Sequence, residues 1–219
     1  MVAEDPLLSS NYDVKVYDYP SGIFCLLINP FCSNPSIHTI ANGLETEINT
    51  KYKNYKQIII VAHSLGGIVA IDCLTYHLND LQYIDSSDGR SHLRISGLVL
   101  FAVPLEGSQL ATRASTAVPW SIPQLSELRK DSPYIYILRG NWYRQHLDQS
   151  LKHLYITAGL DNVISVDKIE QLWDKPFATV INKDHVSIVK PKDREELSYK
   201  LLQKFAEDTN ATAINVKQD

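Results

Sequence analysis

A mostly parallel α/β sheet of about five or more strands, flanked by helices, is the architecture this sequence predicts, and three observations predict it. Short apolar runs rich in Val, Ile and Tyr alternate along the chain with longer segments of helical period. Two of those runs, Gln57–Ala62 and Gly97–Val103, are almost continuously apolar, as strands buried on both faces must be. The 219 residues, 44% hydrophobic and 21% charged, suffice for one full core and exclude disordered, collagen-like and coiled-coil readings.

Taken in order, the first strand is expected at Val14–Tyr19. A helix follows, because Ile37, Ile40, Ala41, Leu44 and Ile48 fall on one stripe behind the start signal Pro35-Ser36. Further strands are expected at Gln57–Ala62, Gly97–Val103, Leu154–Ala158 and Ala178–Asn182, with Gln57–Ala62 and Gly97–Val103 central. The last helix opens at Asp193-Arg-Glu-Glu, where acidic residues suit the positive end of the helix dipole, with Leu197, Leu201, Leu202 and Phe205 as its buried stripe. Asp80–Arg94, rich in Asp and Ser, and Ser115–Pro123, with two prolines around Trp120, are expected to be loops. No repeat or linker divides the chain. It is parsed as an arm (1–12), one domain (13–207) and a polar tail (208–219).

Several function classes fall away. The longest apolar stretches, Ile23–Ile28 and Ile58–Ala62, are far shorter than the ~20 residues that span a bilayer. A net charge of −4, from 21 basic and 25 acidic side chains, comes with no Lys/Arg cluster interleaved with aromatics, so nucleic acid is not an expected partner. Cys25, Cys32 and Cys73 lack the spacing of a zinc site or a disulfide scaffold. The N-terminus lacks the basic start and apolar core of a signal peptide, and a reducing, cytoplasmic setting is the expectation.

The segment that carries chemistry is Ile58-Ile-Ile-Val-Ala-His-Ser64-Leu-Gly-Gly-Ile-Val-Ala-Ile-Asp-Cys-Leu74. An apolar strand runs into a helix through a turn of small residues, which allows the serine strained backbone angles and lifts its hydroxyl above the carboxyl edge of the sheet. That is a nucleophile elbow, with Ala62 in place of the usual first glycine. A capping serine at an ordinary strand-to-helix turn would fit the same local pattern. A doubly wound nucleotide-binding domain is a weaker reading, because neither GxGxxG nor a P-loop is present.

A serine hydroxyl needs a base to take its proton, and the base needs an orienting carboxylate. This architecture places them in the order Ser, acid, His. Of the seven histidines, His38, His77, His146 and His153 lie in helical or strand patterns and are assigned to packing or surface. His92 sits in a polar loop, and His63 adjoins Ser64 and is expected to turn away from it. His185 remains, in a short polar loop past the last strand. Asp161, just past the fourth strand, is the expected acid, with Asp184 as its rival beside His185.

Together these segments resemble the α/β-hydrolase superfamily over about residues 13 to 207. More narrowly, they resemble the lipase-like serine hydrolases that include the GPI inositol-deacylases and the serine-active-site-containing proteins. The resemblance is carried by His63-Ser-Leu-Gly-Gly-Ile-Val69, by Leu98-Val-Leu-Phe-Ala-Val-Pro-Leu-Glu-Gly-Ser108 and by Asp184-His-Val-Ser-Ile-Val-Lys-Pro191. In the second segment Val103 and Leu105 stand where the group has Thr and His. The resemblance implies Ser64 as nucleophile, Asp161 as acid, His185 as base and the Leu65 N–H as an oxyanion donor. It implies ester hydrolysis or acyl transfer on acyl esters or lipid-like small molecules, with no metal or organic cofactor.

One departure matters. The group begins with an extra strand whose His-Gly loop supplies a second oxyanion N–H, and Met1–Asn11 contains neither. That strand normally lies between the first two strands expected here, which must then either pair directly or leave a gap. The same departure leaves three outcomes: a piece of a longer hydrolase, a site completed by a partner or an upstream segment, or a catalytically weak hydrolase-fold binding module. The substrate pocket is expected in the loops at the carboxyl edge, with Pro104, Leu105 and Trp120 lining it. The run Ile23–Ile28 with Pro30-Phe31 has two readings, a rim contacting a membrane surface or core, and the rarity of exposed apolar patches favours core.

Overall fold

The structure is a computed structural model that describes residues 2–20, 35–84, 91–107, 123–130, 132–164 and 177–215. In chain order its strands are β1 (Ile58–His63), β2 (Gln82–Ile84), β3 (Ser91–Leu93), β4 (Ile95–Phe101), β5 (His153–Ala158) and β6 (Phe177–Val180). Its helices are α1 (Pro6–Ser9), α2 (Ile37–Lys51), α3 (Leu65–Tyr76), α4 (Pro123–Glu127), α5 (Pro133–Arg144), α6 (Leu147–Ser150) and α7 (Leu197–Asn215). Four strands make a parallel sheet in the order β1-β4-β5-β6, with Ile59 opposite Gly97, Leu98 opposite His153 and Ala158 opposite Val180.

β4 and β5 are the interior strands, and Leu98, Val99, Leu100, Tyr155 and Ile156 are completely buried there. Gly97 lets α7 approach, since a Cβ at that position would lie 2.7 Å from the Phe205 ring. Helix α2 starts where expected: the Ser36 Oγ accepts from the Thr39 N–H at 3.1 Å, and Ile37, Ile40, Ala41 and Ile48 are buried. The cap is worth about 1 kcal/mol. Each buried Ile contributes roughly 1.5–3 kcal/mol. Asp72 is buried in the apolar helix α3, where it is satisfied by the His38 Nδ1 at 2.9 Å and by the Tyr134 hydroxyl.

Four expectations change. Gln57–Ala62, expected to be central and buried on both faces, forms β1 at the end of the described sheet, where it pairs on one side only and leaves Val61 49% exposed. Val14–Tyr19 is not a strand. Among the described residues β1 pairs with β4 alone, so Val14–Tyr19 does not pair directly with it. The segment runs past β1 in the same direction. Asp13 accepts from the hydroxyl of Tyr55, which precedes β1, and the Tyr19 hydroxyl lies against Gly66, which follows it. With nothing to pair with, Val16 stays 80% exposed, while Tyr17 is tied to α2 through its hydroxyl and the Ile40 carbonyl at 2.7 Å. Asp80–Arg94, whose polarity suggested a loop, holds the antiparallel pair β2–β3, an example of cross-strand pairing that composition conceals. Finally, α7 continues to Asn215, so residues 208–215 are helical and not a tail. Of its expected stripe Phe205 is buried and Leu201 and Leu202 pack partly buried against the core, whereas Leu197 is exposed at the helix start; Tyr199, Ala206 and Thr209 are buried besides.

The N-terminal residues are tied to that helix. Leu8 packs with Tyr199 and Ala206, and the Tyr12 hydroxyl donates to the Ala206 carbonyl at 2.8 Å. Among the described residues no helix is long and apolar enough to cross a membrane.

Candidate active site

Ser64 sits between the end of β1 and the start of α3 with φ 51° and ψ −124°, a backbone region that side chains rarely adopt. Its N–H donates to the Phe101 carbonyl at 3.0 Å and its carbonyl accepts from the Gly67 N–H at 3.0 Å, so the strained turn is held from both sides. Gly67 has to be glycine, because a Cβ there would come within 2.1 Å of the Val103 side chain. The serine hydroxyl does not cap the helix. It lies 2.9 Å from the His185 Nε2 instead, which removes the capping-serine reading.

The His185 Nδ1 is 2.9 Å from the Asp161 Oδ2. An ionised carboxylate only accepts, so Nδ1 carries the proton and Nε2 is left to accept from the serine. Asp161 is itself fixed, its Oδ1 accepting from the N–H groups of Val163 at 2.8 Å and Ile164 at 3.0 Å. Its side chain is 2% exposed, so water does not compete for the imidazole. β5 and β6 set the two loops side by side: Gly159 N–H donates to the Val180 carbonyl and Leu160 N–H to the Lys183 carbonyl, each at 2.9 Å. A Cβ on Gly159 would meet the Ile181 backbone at 2.6 Å, so the close approach of the loops requires glycine.

Asp184, the rival acid, is engaged locally. Its Oδ1 accepts from the N–H groups of Val186 at 2.9 Å and Ser187 at 2.8 Å, and its own N–H donates to the Ser187 Oγ at 2.9 Å. Those backbone donors hold its carboxyl below the usual range, and they fix the turn that presents His185.

His63 turns toward His185. Its Nε2–H donates to the His185 carbonyl at 2.7 Å, with the two rings 5.0 Å apart. Burial pushes the His63 pKa down, which favours the neutral form of this ring. Nothing in the sequence signalled this contact, which joins residues 122 apart.

Leu65 is the first residue of α3, and the opening N–H groups of a helix have no acceptor within it. Pro104 and Leu105 do not offer a pocket surface. The chain tucks in after β4, with the Leu105 N–H donating to the Val103 carbonyl at 2.9 Å, and Leu105 is 1% exposed within the core. Trp120 and the run Ile23–Ile28 lie outside the described residues. Among the described residues no cluster of three or more His, Cys, Asp or Glu side chains is arranged to hold a metal ion.

No family model matches the chain, and no curated protein matches it in sequence. Solved structures do. Phospholipase PlaB from Legionella pneumophila superposes with a TM-score of 0.63 at 13% identity, over 82% of this chain and 50% of that one. The chain therefore spans about half the length of that phospholipase. Lipase BlEst2 of Bacillus licheniformis in mature form gives 0.54 at 16% identity, over 79% of this chain and 75% of that one. MGS-MChE2, an α/β-hydrolase enzyme from the metagenome of sediments of the Mar Chica lagoon in Morocco, gives 0.51 at 17%, over 79% and 71%. At such identities the likeness is one of fold and does not reach the narrower grouping with GPI inositol-deacylases. A parallel sheet flanked by helices, shared over about four-fifths of the chain with a lipase and a hydrolase of this architecture, gives the protein the α/β-hydrolase fold.

Proposed function

We propose that this chain is a serine hydrolase that cleaves carboxylic esters of lipid-like acyl groups through an acyl-enzyme intermediate. One observation carries the reading: an unbroken relay from Asp161 through His185 to a serine hydroxyl held on a strained elbow, with 2.9 Å at each step. In the first half-reaction the Ser64 Oγ attacks the ester carbonyl as its proton passes to the His185 Nε2. Asp161 holds the resulting imidazolium, and the Leu65 N–H donates to the developing oxyanion. The tetrahedral species collapses, the C–O bond to the leaving group breaks, and Nε2–H protonates the departing alcohol. Water then attacks the acyl-serine, gives its proton to Nε2, and releases acid and serine. The fold shared with a phospholipase and a lipase supports an acyl group of lipid-like character.

The reading is tested with p-nitrophenyl esters of increasing acyl length, comparing the protein with its Ser64→Ala variant. Hydrolysis by the wild type, reduced by about 10⁵–10⁶-fold in kcat in the variant, is the expected result. Equal hydrolysis by both would exclude Ser64 as nucleophile. No hydrolysis of any ester by a folded wild type would favour a catalytically silent binding module.

The His63 contact gives a second expectation on the same assay. His63→Leu removes the donor that pins the base, and kcat should fall about 10-fold or more with KM little changed. His63→Gln, whose amide nitrogen occupies nearly the place of Nε2, should restore most of it.

A further inference from the structure

A single helix-start N–H, that of Leu65, raises the question of what assists it at the oxyanion. Among the described residues, no strand lies there to bring a second backbone N–H. Tyr19 does come close. Its hydroxyl lies 3.3 Å from where a Cβ on Gly66 would be, beside the first turn of α3 and two residues past Ser64. That hydroxyl has no hydrogen-bond partner among the described residues, whereas those of Tyr12 and Tyr17 donate to the main-chain carbonyls of Ala206 and Ile40.

We propose that the Tyr19 hydroxyl is the second oxyanion donor of this site, acting on the same oxygen as the Leu65 N–H. The proposal rests on the serine-hydrolase reading above. The donor is held in place before any substrate arrives. The Tyr17 ring packs against Tyr19 with centroids 5.6 Å apart, and Tyr17 is anchored to α2 through its own hydroxyl. On the other side the Pro20 carbonyl accepts from the Gln124 Nε2 at 3.3 Å, and the buried Gln124 also donates to the Pro35 carbonyl at 3.0 Å. A donor fixed in this way needs no reorganisation when charge develops. Burial raises the Tyr19 pKa, so the phenol stays protonated and able to donate.

The geometry also accounts for an unpaired stretch of extended chain in this place. Asp13–Pro20 makes no ladder with β1, yet it is anchored at intervals through Asp13, Tyr17 and Pro20, and it delivers one aromatic hydroxyl to the first turn of α3. A side-chain O–H thus stands in for a loop amide.

The test is Tyr19→Phe, which keeps the ring and deletes one oxygen. Hydrolysis of p-nitrophenyl butyrate should lose about 10²-fold in kcat with KM within about twofold. The rate constant for phosphonylation of Ser64 by a fluorophosphonate should fall by a similar factor, because its phosphoryl oxygen occupies the oxyanion position. The melting temperature should not change, since the deleted hydroxyl holds nothing in the fold. Tyr12→Phe is the control: losing the bond to Ala206 should lower the melting temperature and leave kcat unchanged. If Tyr19→Phe retains kcat and phosphonylation rate within about threefold while Ser64→Ala is inactive, the tyrosine is not a donor and the hydrolase reading stands. If it shifts KM and melting temperature with kcat unchanged, its role is structural and the proposal is overturned. If Ser64→Ala hydrolyses esters as fast as the wild type, or the wild type hydrolyses none, both readings fall together.

Discussion

Replacing His185 by alanine is expected to lower kcat for a p-nitrophenyl ester by about 10⁵–10⁶-fold, close to the loss expected for Ser64→Ala itself. The two losses should be similar because the proposed mechanism uses the hydroxyl and the imidazole as one unit: at neutral pH a serine does not ionise without an acceptor, and the His185 Nε2 lies 2.9 Å from the Ser64 Oγ. The double variant Ser64→Ala/His185→Ala should therefore be hardly worse than either single one. Additive losses would mean that the two groups do not share a step. The fold itself should tolerate the change, because the turn around His185 is held by Asp184 and Ser187 and not by the imidazole.

Asp161→Asn is the second large effect, a loss of about 10⁴-fold in kcat with the backbone geometry intact. The argument concerns the tautomer. Asp161 accepts from Val163 and Ile164 through Oδ1, and an asparagine in its place keeps those two bonds by turning its carbonyl oxygen toward them. Its NH₂ then faces the His185 Nδ1, which must accept. The ring proton moves to Nε2, and the serine faces a donor where it needs a base. Steady-state kinetics on the variant, with a thermal melt showing that it is folded, measures this. A loss below 10-fold would mean that another group, such as the neighbouring Asp184, can orient the ring.

What the sequence made legible follows from which contacts are local. The strand, the small residues and the helix around Ser64 occupy one consecutive stretch, so its strained turn and its candidacy as nucleophile were legible locally. That Asp161 and His185 meet was legible from topology, because loops at the carboxyl ends of neighbouring parallel strands come together above the sheet. The rest depends on contacts whose partners are distant in sequence. Val14–Tyr19 has the alternation of a strand, yet a strand needs a neighbour, and that information lies outside the segment. Leu105 looked like part of a pocket because its loop sits at the right edge, but a tuck of two residues sends it into the core. His63 and Tyr19 were ordinary residues in the sequence. Each gains its meaning from a group more than 40 residues away, the His185 carbonyl in one case and the first turn of α3 in the other.

The most direct measurement is to react the protein with a fluorophosphonate and locate the adduct by peptide mass spectrometry. The account predicts one phosphonyl group per chain, on Ser64, and none when His185 is alanine. An adduct on a different residue, or a folded protein that takes up none, would contradict it.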